Sequence, residues 1–214
     1  MSLQTPEKLR TLQRKLYTKA NQEPDFRFYS LIDKVYSRQI LRHAWLLVRK
    51  NAGSPGVDGI SIAQIEERGC EEWLEKIEQE LGDGTYTASA VLRVTIPKPD
   101  GGQRPLGIPT VKDRVVQTAT KLVIEPIFEA DLADEAHGYR PNRSAKGAIE
   151  EVHQELLEGR TDVVDADLSS YFDTIPHDQL MKSVRRRISD GRILELIKMW
   201  LEAPIVEEDD DGTR

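Results

Sequence analysis

The sequence has a single cysteine, Cys70, so no disulfide can close within the chain, and a reducing, cytoplasmic compartment is expected. It has no run of ~18 apolar residues, which excludes a membrane-spanning helix by pattern. Its first residues, MSLQTPEKLRTLQRKLY, contain no continuous apolar stretch of the signal-peptide kind. The four histidines, His43, His137, His153 and His177, stand far from one another and from Cys70 in sequence, against a zinc site. There is no internal repeat and no low-complexity tract.

What is present is charge, unevenly placed. The 214 residues carry a net −7, yet residues 1–50 hold 11 Lys/Arg against 4 Asp/Glu, a net +7. The remainder is −14, and five of its acids form the run from Glu207 to Asp211. A basic arm on an acidic body fits a nucleic-acid protein. It fits a solvated helix face equally well.

Periodicity predicts a helix-rich α+β chain. Leu9, Leu12 and Leu16 mark an amphipathic helix over 6–20, with Lys/Arg on its other faces. Ile40, Ala44, Leu47 and Val48 mark one over 37–50, with Ser37 at its N-cap. Residues 51–59 are a glycine-containing loop, and Trp73, Leu74, Ile77 and Leu81 mark a helix over 70–81. Leu92, Val94 and Ile96 alternate with Arg93 and Thr95, as in a half-buried strand. A turn at Pro99 to Gly102 and a return strand over Gln103 to Pro109 complete a β-hairpin, with Lys98 and Arg104 beside its tip. Helices are predicted over 112–124, stopped by Pro126, over 145–158 (Ile149, Val152, Leu156), and at about 178–188 and 191–202. Thr161 to Leu168 reads as a strand. A lone strand pairs with nothing, so it needs partners from the hairpin or from beyond residue 214. Arg185, Arg186 and Arg187 span nearly a helical turn and read as a solvated face. The run from Glu207 to Arg214 is expected to be disordered.

The segment Val164-Asp-Ala-Asp-Leu-Ser-Ser-Tyr-Phe-Asp-Thr-Ile-Pro-His177 carries the most chemistry. Asp165 and Asp167, two apart, share one face of an extended segment, and carboxylates so placed can hold hard divalent cations. Solvated turn residues would look the same locally. The segment resembles the first palm carboxylate motif of reverse transcriptases, with Asp167, Phe172 and Asp173 in its key places. Four blocks upstream, in order, resemble the group II intron type. They are Asn51-Ala-Gly-Ser-Pro-Gly-Val-Asp-Gly59, Ile96-Pro-Lys-Pro-Asp-Gly-Gly-Gln-Arg-Pro-Leu-Gly-Ile-Pro109, Asp113-Arg-Val-Val-Gln117 and Gly138-Tyr-Arg-Pro-Asn-Arg-Ser144.

The resemblance implies a right-hand polymerase organisation. A basic helical extension covers 1–50, fingers 51–160, the first part of the palm 161–206, and an acidic tail 207–214. It implies Mg²⁺ held by Asp167 and the Leu168 carbonyl, with Asp165 and Asp173 in structural roles. Lys98 and Arg104 contact a deoxynucleoside triphosphate, and Phe172 sits beneath its sugar, where a ring disfavours a 2′-hydroxyl. Arg114, Arg140 and Arg143 either touch template or hold the fingers together. Arg38 and Arg42, with the basic N-terminal helices, are candidates for RNA. The implied partners are an RNA template, intron RNA, a DNA primer and deoxynucleotides, with no membrane and a possible homodimer. A second aromatic-x-Asp-Asp motif does not occur in these residues, so this piece alone is expected to be inactive. An intron-RNA-binding maturase module is the alternative function.

Overall fold

A computed structural model describes residues 4–97, 101–168 and 170–207. The elements, in chain order, are α1 (Glu7–Gln22), α2 (Ile32–Val35), α3 (Arg38–Asn51), α4 (Ile62–Arg68), α5 (Cys70–Asp83), β1 (Val91–Pro97), β2 (Gln103–Ile108), α6 (Val111–Glu129), α7 (Ala145–Leu157), α8 (Tyr171–Thr174), α9 (His177–Arg187), α10 (Gly191–Leu201) and β3 (Ile205–Glu207). The α+β, helix-rich class expected from the pattern is what the chain adopts.

The body is built around α6, which packs on α1, α2 and α3. Its Val115, Val116, Ala119, Val123 and Ile127 are fully buried, facing Leu9 and Ala20 of α1 and Leu41 and Ala44 of α3. Leu74, Ile77 and Leu81 of α5 close the other side, with Trp45 and Trp73 in ring contact at 5.4 Å. Burying these stripes is the main force holding the helices, since helices this short are marginal in isolation.

Pro126 does not stop α6, as its position predicts; the helix runs on to Glu129. Proline removes one N–H and crowds the carbonyl four residues earlier. Here that carbonyl, on Leu122, accepts a hydrogen bond from Gln13 Nε2 of α1 at 3.0 Å. Burial of Ile127 in the same turn offsets the remaining cost.

The expected hairpin forms, with Leu92 opposite Ile108 and Ile96 opposite Arg104. Its third strand comes from an unexpected place. β3 pairs in parallel with β1, Val91 beside Ile205, giving the order β2-β1-β3. Glu207, expected to start a disordered tail, ends this strand and lies 3.2 Å from Arg93. The rest of that tail, 208–214, lies outside the described residues. The predicted strand over 161–168 does not form: those residues have no regular secondary structure and are exposed. A strand without a ladder leaves its amides to water and its apolar side uncovered. Val163 and Val164 are accordingly 75% and 93% exposed.

Two buried charges tie the ends of the chain together. The Asp190 carboxylate accepts from Arg192 and Ile193 N–H at the start of α10 and from Leu31 and Ile32 N–H at the start of α2. One anion thus serves two helix N-termini. The Arg187 guanidinium donates to the Ala20, Glu23 and Pro24 carbonyls at the end of α1 and lies 3.1 Å from Asp131. Arg185 and Arg186 are exposed as expected, but Arg187 is not part of a solvated face.

Candidate functional site

The first turn of α6 organises the root of the hairpin. Thr110 caps the helix, its hydroxyl accepting from Asp113 N–H at 3.1 Å. The buried Asp113 carboxylate accepts from the Tyr86 hydroxyl at 2.6 Å, the Thr110 hydroxyl at 2.7 Å and the Ser89 N–H at 3.1 Å. Trp200 of α10 donates its Nε1–H to the Tyr86 oxygen at 3.2 Å. Burial, and then the bond to Asp113, push the Tyr86 phenol far above its ordinary pKa, so it stays a neutral donor.

The next residue, Arg114, donates to the Ser54 carbonyl at 2.6 Å and holds the glycine-containing loop. Burial lowers its pKa. The loop approaches so closely that a Cβ on Gly56 would lie 2.7 Å from Thr110 N. The glycine there serves backbone-to-backbone packing.

From this root β1 and β2 project outward. Arg104 is exposed on β2, and Ile96 opposite it is also exposed. Lys98, its expected companion at the tip, lies outside the described residues.

The carboxylate motif runs from the exposed segment bearing Asp167 into α8, which carries Phe172 and Asp173. Asp167, Leu168 and Phe172 line one shallow cavity of about 470 Å³ with Ala166, Ser170, Tyr171 and Asp173. Ser170 adopts φ 51°, and its carbonyl accepts from the Asp173 and Thr174 N–H groups at 3.1 Å, starting α8. This turn lets Asp167 and Phe172 share one concavity. Phe172, 72% exposed, meets the Tyr139 ring edge-on at 5.9 Å and the Tyr171 ring at 5.7 Å. Tyr139 therefore brings the Gly138–Ser144 block against the carboxylate motif, a link the sequence pattern did not reveal. The lining of this cavity does not include Arg104.

The other candidate cations are engaged within the protein. Arg140 donates to Glu129 at 2.7 and 2.9 Å and to the Ala133 and Ala136 carbonyls, fastening the loop after α6. Its pKa is raised by the bond to Glu129. Arg143 lies 3.6 Å from Asp134. Arg38 pairs with Glu71 and Glu78, and Arg42 pairs with Glu71 at 2.9 Å. With Lys8 and the buried His43 they line a cleft of about 510 Å³ between α1 and α3. Desolvation lowers the His43 pKa.

Asp167 and the Leu168 carbonyl are hard oxygen donors, the right chemistry for Mg²⁺. Among the described residues no group of three His, Cys, Asp or Glu side chains could hold a metal. Octahedral Mg²⁺ takes about six oxygens, several commonly from substrate phosphates and water. The donors here therefore fit one part of a shared coordination shell.

Residues 96–214 match the family of reverse transcriptases, RNA-dependent DNA polymerases. The Escherichia coli protein YkfC is 41% identical in an alignment that covers 90% of this chain and 52% of that protein. The putative COX1/OXI3 intron 1 protein of Saccharomyces cerevisiae is 35% identical over 64% of this chain and 16% of its own length. The group II intron-encoded protein LtrA of Lactococcus lactis is 37% identical over 64% of this chain and 23% of its own length. The chain thus spans about half of the first relative and less than a quarter of the other two. With more than half of its residues matching that family, the chain belongs to the reverse transcriptase (RNA-dependent DNA polymerase) family, and a group II intron-encoded protein is among its relatives.

Proposed function

We propose that these residues serve template-directed DNA synthesis on RNA in a longer protein, with Asp167 at the reacting centre. One observation carries this reading: Asp167, Leu168 and Phe172 line a single concavity within the family-matched region. A primer 3′-hydroxyl attacks the α-phosphorus of a deoxynucleoside triphosphate. A new P–O bond forms, the α–β bridge breaks, and pyrophosphate leaves. Asp167 and the Leu168 carbonyl would hold Mg²⁺ together with substrate phosphates, and the ion would supply charge stabilisation to the reacting phosphate. Arg104 and Lys98 bind the triphosphate and offset its charge. Phe172 supports the sugar and disfavours a 2′-hydroxyl by bulk. Alone, these 214 residues are expected not to polymerise, because Asp167 is the one carboxylate among the described residues assigned to the metal, which leaves the coordination shell incomplete.

Arg140 and Arg114 hold loops in this reading; their contacts to Glu129 and Ser54 support that role over template binding. The exposed apolar side of α7 favours self-association of the isolated chain into a homodimer.

A second reading is binding of intron RNA, supported by the net +7 of residues 1–50 and the basic cleft between α1 and α3. Primer extension with deoxynucleotides on an RNA template separates the two, using a full-length protein carrying these residues. Extension that requires Mg²⁺ supports the polymerase. Its absence, together with salt-dependent binding of structured RNA that survives Asp167→Ala, leaves the binding role alone.

A further inference from the structure

We propose that Asp113 is a positioning residue that locks the root of the β1–β2 hairpin and so fixes where its arm points. The hairpin enters at Val91 and leaves at Ile108. Ser89, two residues before the entry, and Thr110, two after the exit, both donate to Asp113 Oδ2. Its other oxygen takes the Tyr86 hydroxyl. One carboxylate therefore joins the two ends of the hairpin to each other and to the helix that follows.

The bonds around it extend the lock. Trp200 donates to Tyr86, and the Ala88 N–H lies 2.9 Å from the Met199 sulfur, so α10 holds the entering segment. Val91 N–H donates to the Pro204 carbonyl at 2.7 Å, where α10 leads into β3. On the exit side Gly56 sits against Pro109 and Thr110, and Arg114 keeps that loop in place. Beyond the root the described hairpin residues are largely exposed. β2 is exposed from Gln103 through Gly107, and β1 from Thr95 onward. The buried bonds described here hold the arm at its base and so set its direction, and Asp113, Tyr86 and Thr110 are buried, where a bond without its partner is costly.

Asp113 touches no exposed surface, so it acts through the hairpin. The consequence for nucleotide binding by Arg104 rests on the function proposed above. The lock itself is read without nucleotide, so its failure and the failure of that function are distinguishable.

The experiment is amide hydrogen exchange on the 214-residue chain. Asp113→Asn and Tyr86→Phe are compared with Leu16→Ala, a core change in α1 away from the root. Exchange is followed in peptides covering 91–97 and 103–108 and in peptides from α3 and α6. The lock predicts about tenfold faster hairpin exchange in Asp113→Asn, with a smaller rise in Tyr86→Phe and α3 unchanged. Leu16→Ala should speed exchange in the helices as much as in the hairpin. If the Asn variant does not fold, Tyr86→Phe alone decides by the same pattern. Hairpin exchange unchanged in the root variants, or raised only in step with the helices, overturns the proposal.

Discussion

Helices α3 and α7 carry the same kind of apolar stripe and meet opposite fates. In α3, Ile40, Leu41, Ala44 and Val48 are all buried against α6, and its neighbour α5 adds Leu74 and Ile77. In α7 no residue is buried, and Ile149, Val152 and Leu156 are exposed. Amphipathicity states that a face is meant to be covered; it does not supply the cover. The segment bearing Asp167 follows α7 and shares its openness. The candidate centre thus sits on the least consolidated part of the described chain, beside a well-packed helical body.

The largest effect should come from cutting into the body. Leu41→Ala should cost about 2–5 kcal/mol in denaturant unfolding, through lost burial and a residual cavity. Ile149→Ala should change stability by less than ~0.5 kcal/mol, as for an exposed site. Equal losses would erase the contrast between the two helices. A smaller effect is expected at the junction of α2 and α10. Asp190→Ala removes the acceptor for four backbone N–H groups and should cost about 2–3 kcal/mol. A neutral result there would show that water replaces the carboxylate.

The smallest effect is pH-dependent and confined to the body. Burial lowers the His43 pKa from its ordinary 6.5, so the folded chain resists protonation there while the unfolded chain does not. Its contribution is complete above pH 6.5 and declines as pH falls below it. His43→Gln should flatten that part of a melting-temperature profile, and an unchanged slope would remove His43 as its source.

Much of this was legible beforehand where a local rule had a local cause. The hairpin followed from alternation and turn residues, and α1, α3, α5, α9 and α10 from apolar spacing. Four features depended on partners distant in sequence. Pro126 stays helical because Gln13 reaches the Leu122 carbonyl. Arg187 is buried because the end of α1 offers it carbonyls. β3 forms because β1 has a free edge. The 161–168 strand does not form: no strand among the described residues pairs with it. At the candidate site, the motif residues Asp167, Leu168 and Phe172 were singled out from sequence, and in the structure they line one cavity. Tyr139 and Asp113 lay within recognisable blocks, but their contacts to Phe172 and Tyr86 arise only once distant segments meet.

The most direct measurement compares Asp167→Asn with Asp173→Asn in RNA-templated primer extension by a full-length protein carrying this chain. Both carboxylates line the same cavity, and only Asp167 is assigned to the metal. The account predicts at least ~10³-fold loss for Asp167→Asn, the scale of removing a group that stabilises transition-state charge, and substantial activity in Asp173→Asn. Activity that survives Asp167→Asn while Asp173→Asn abolishes it would contradict the account.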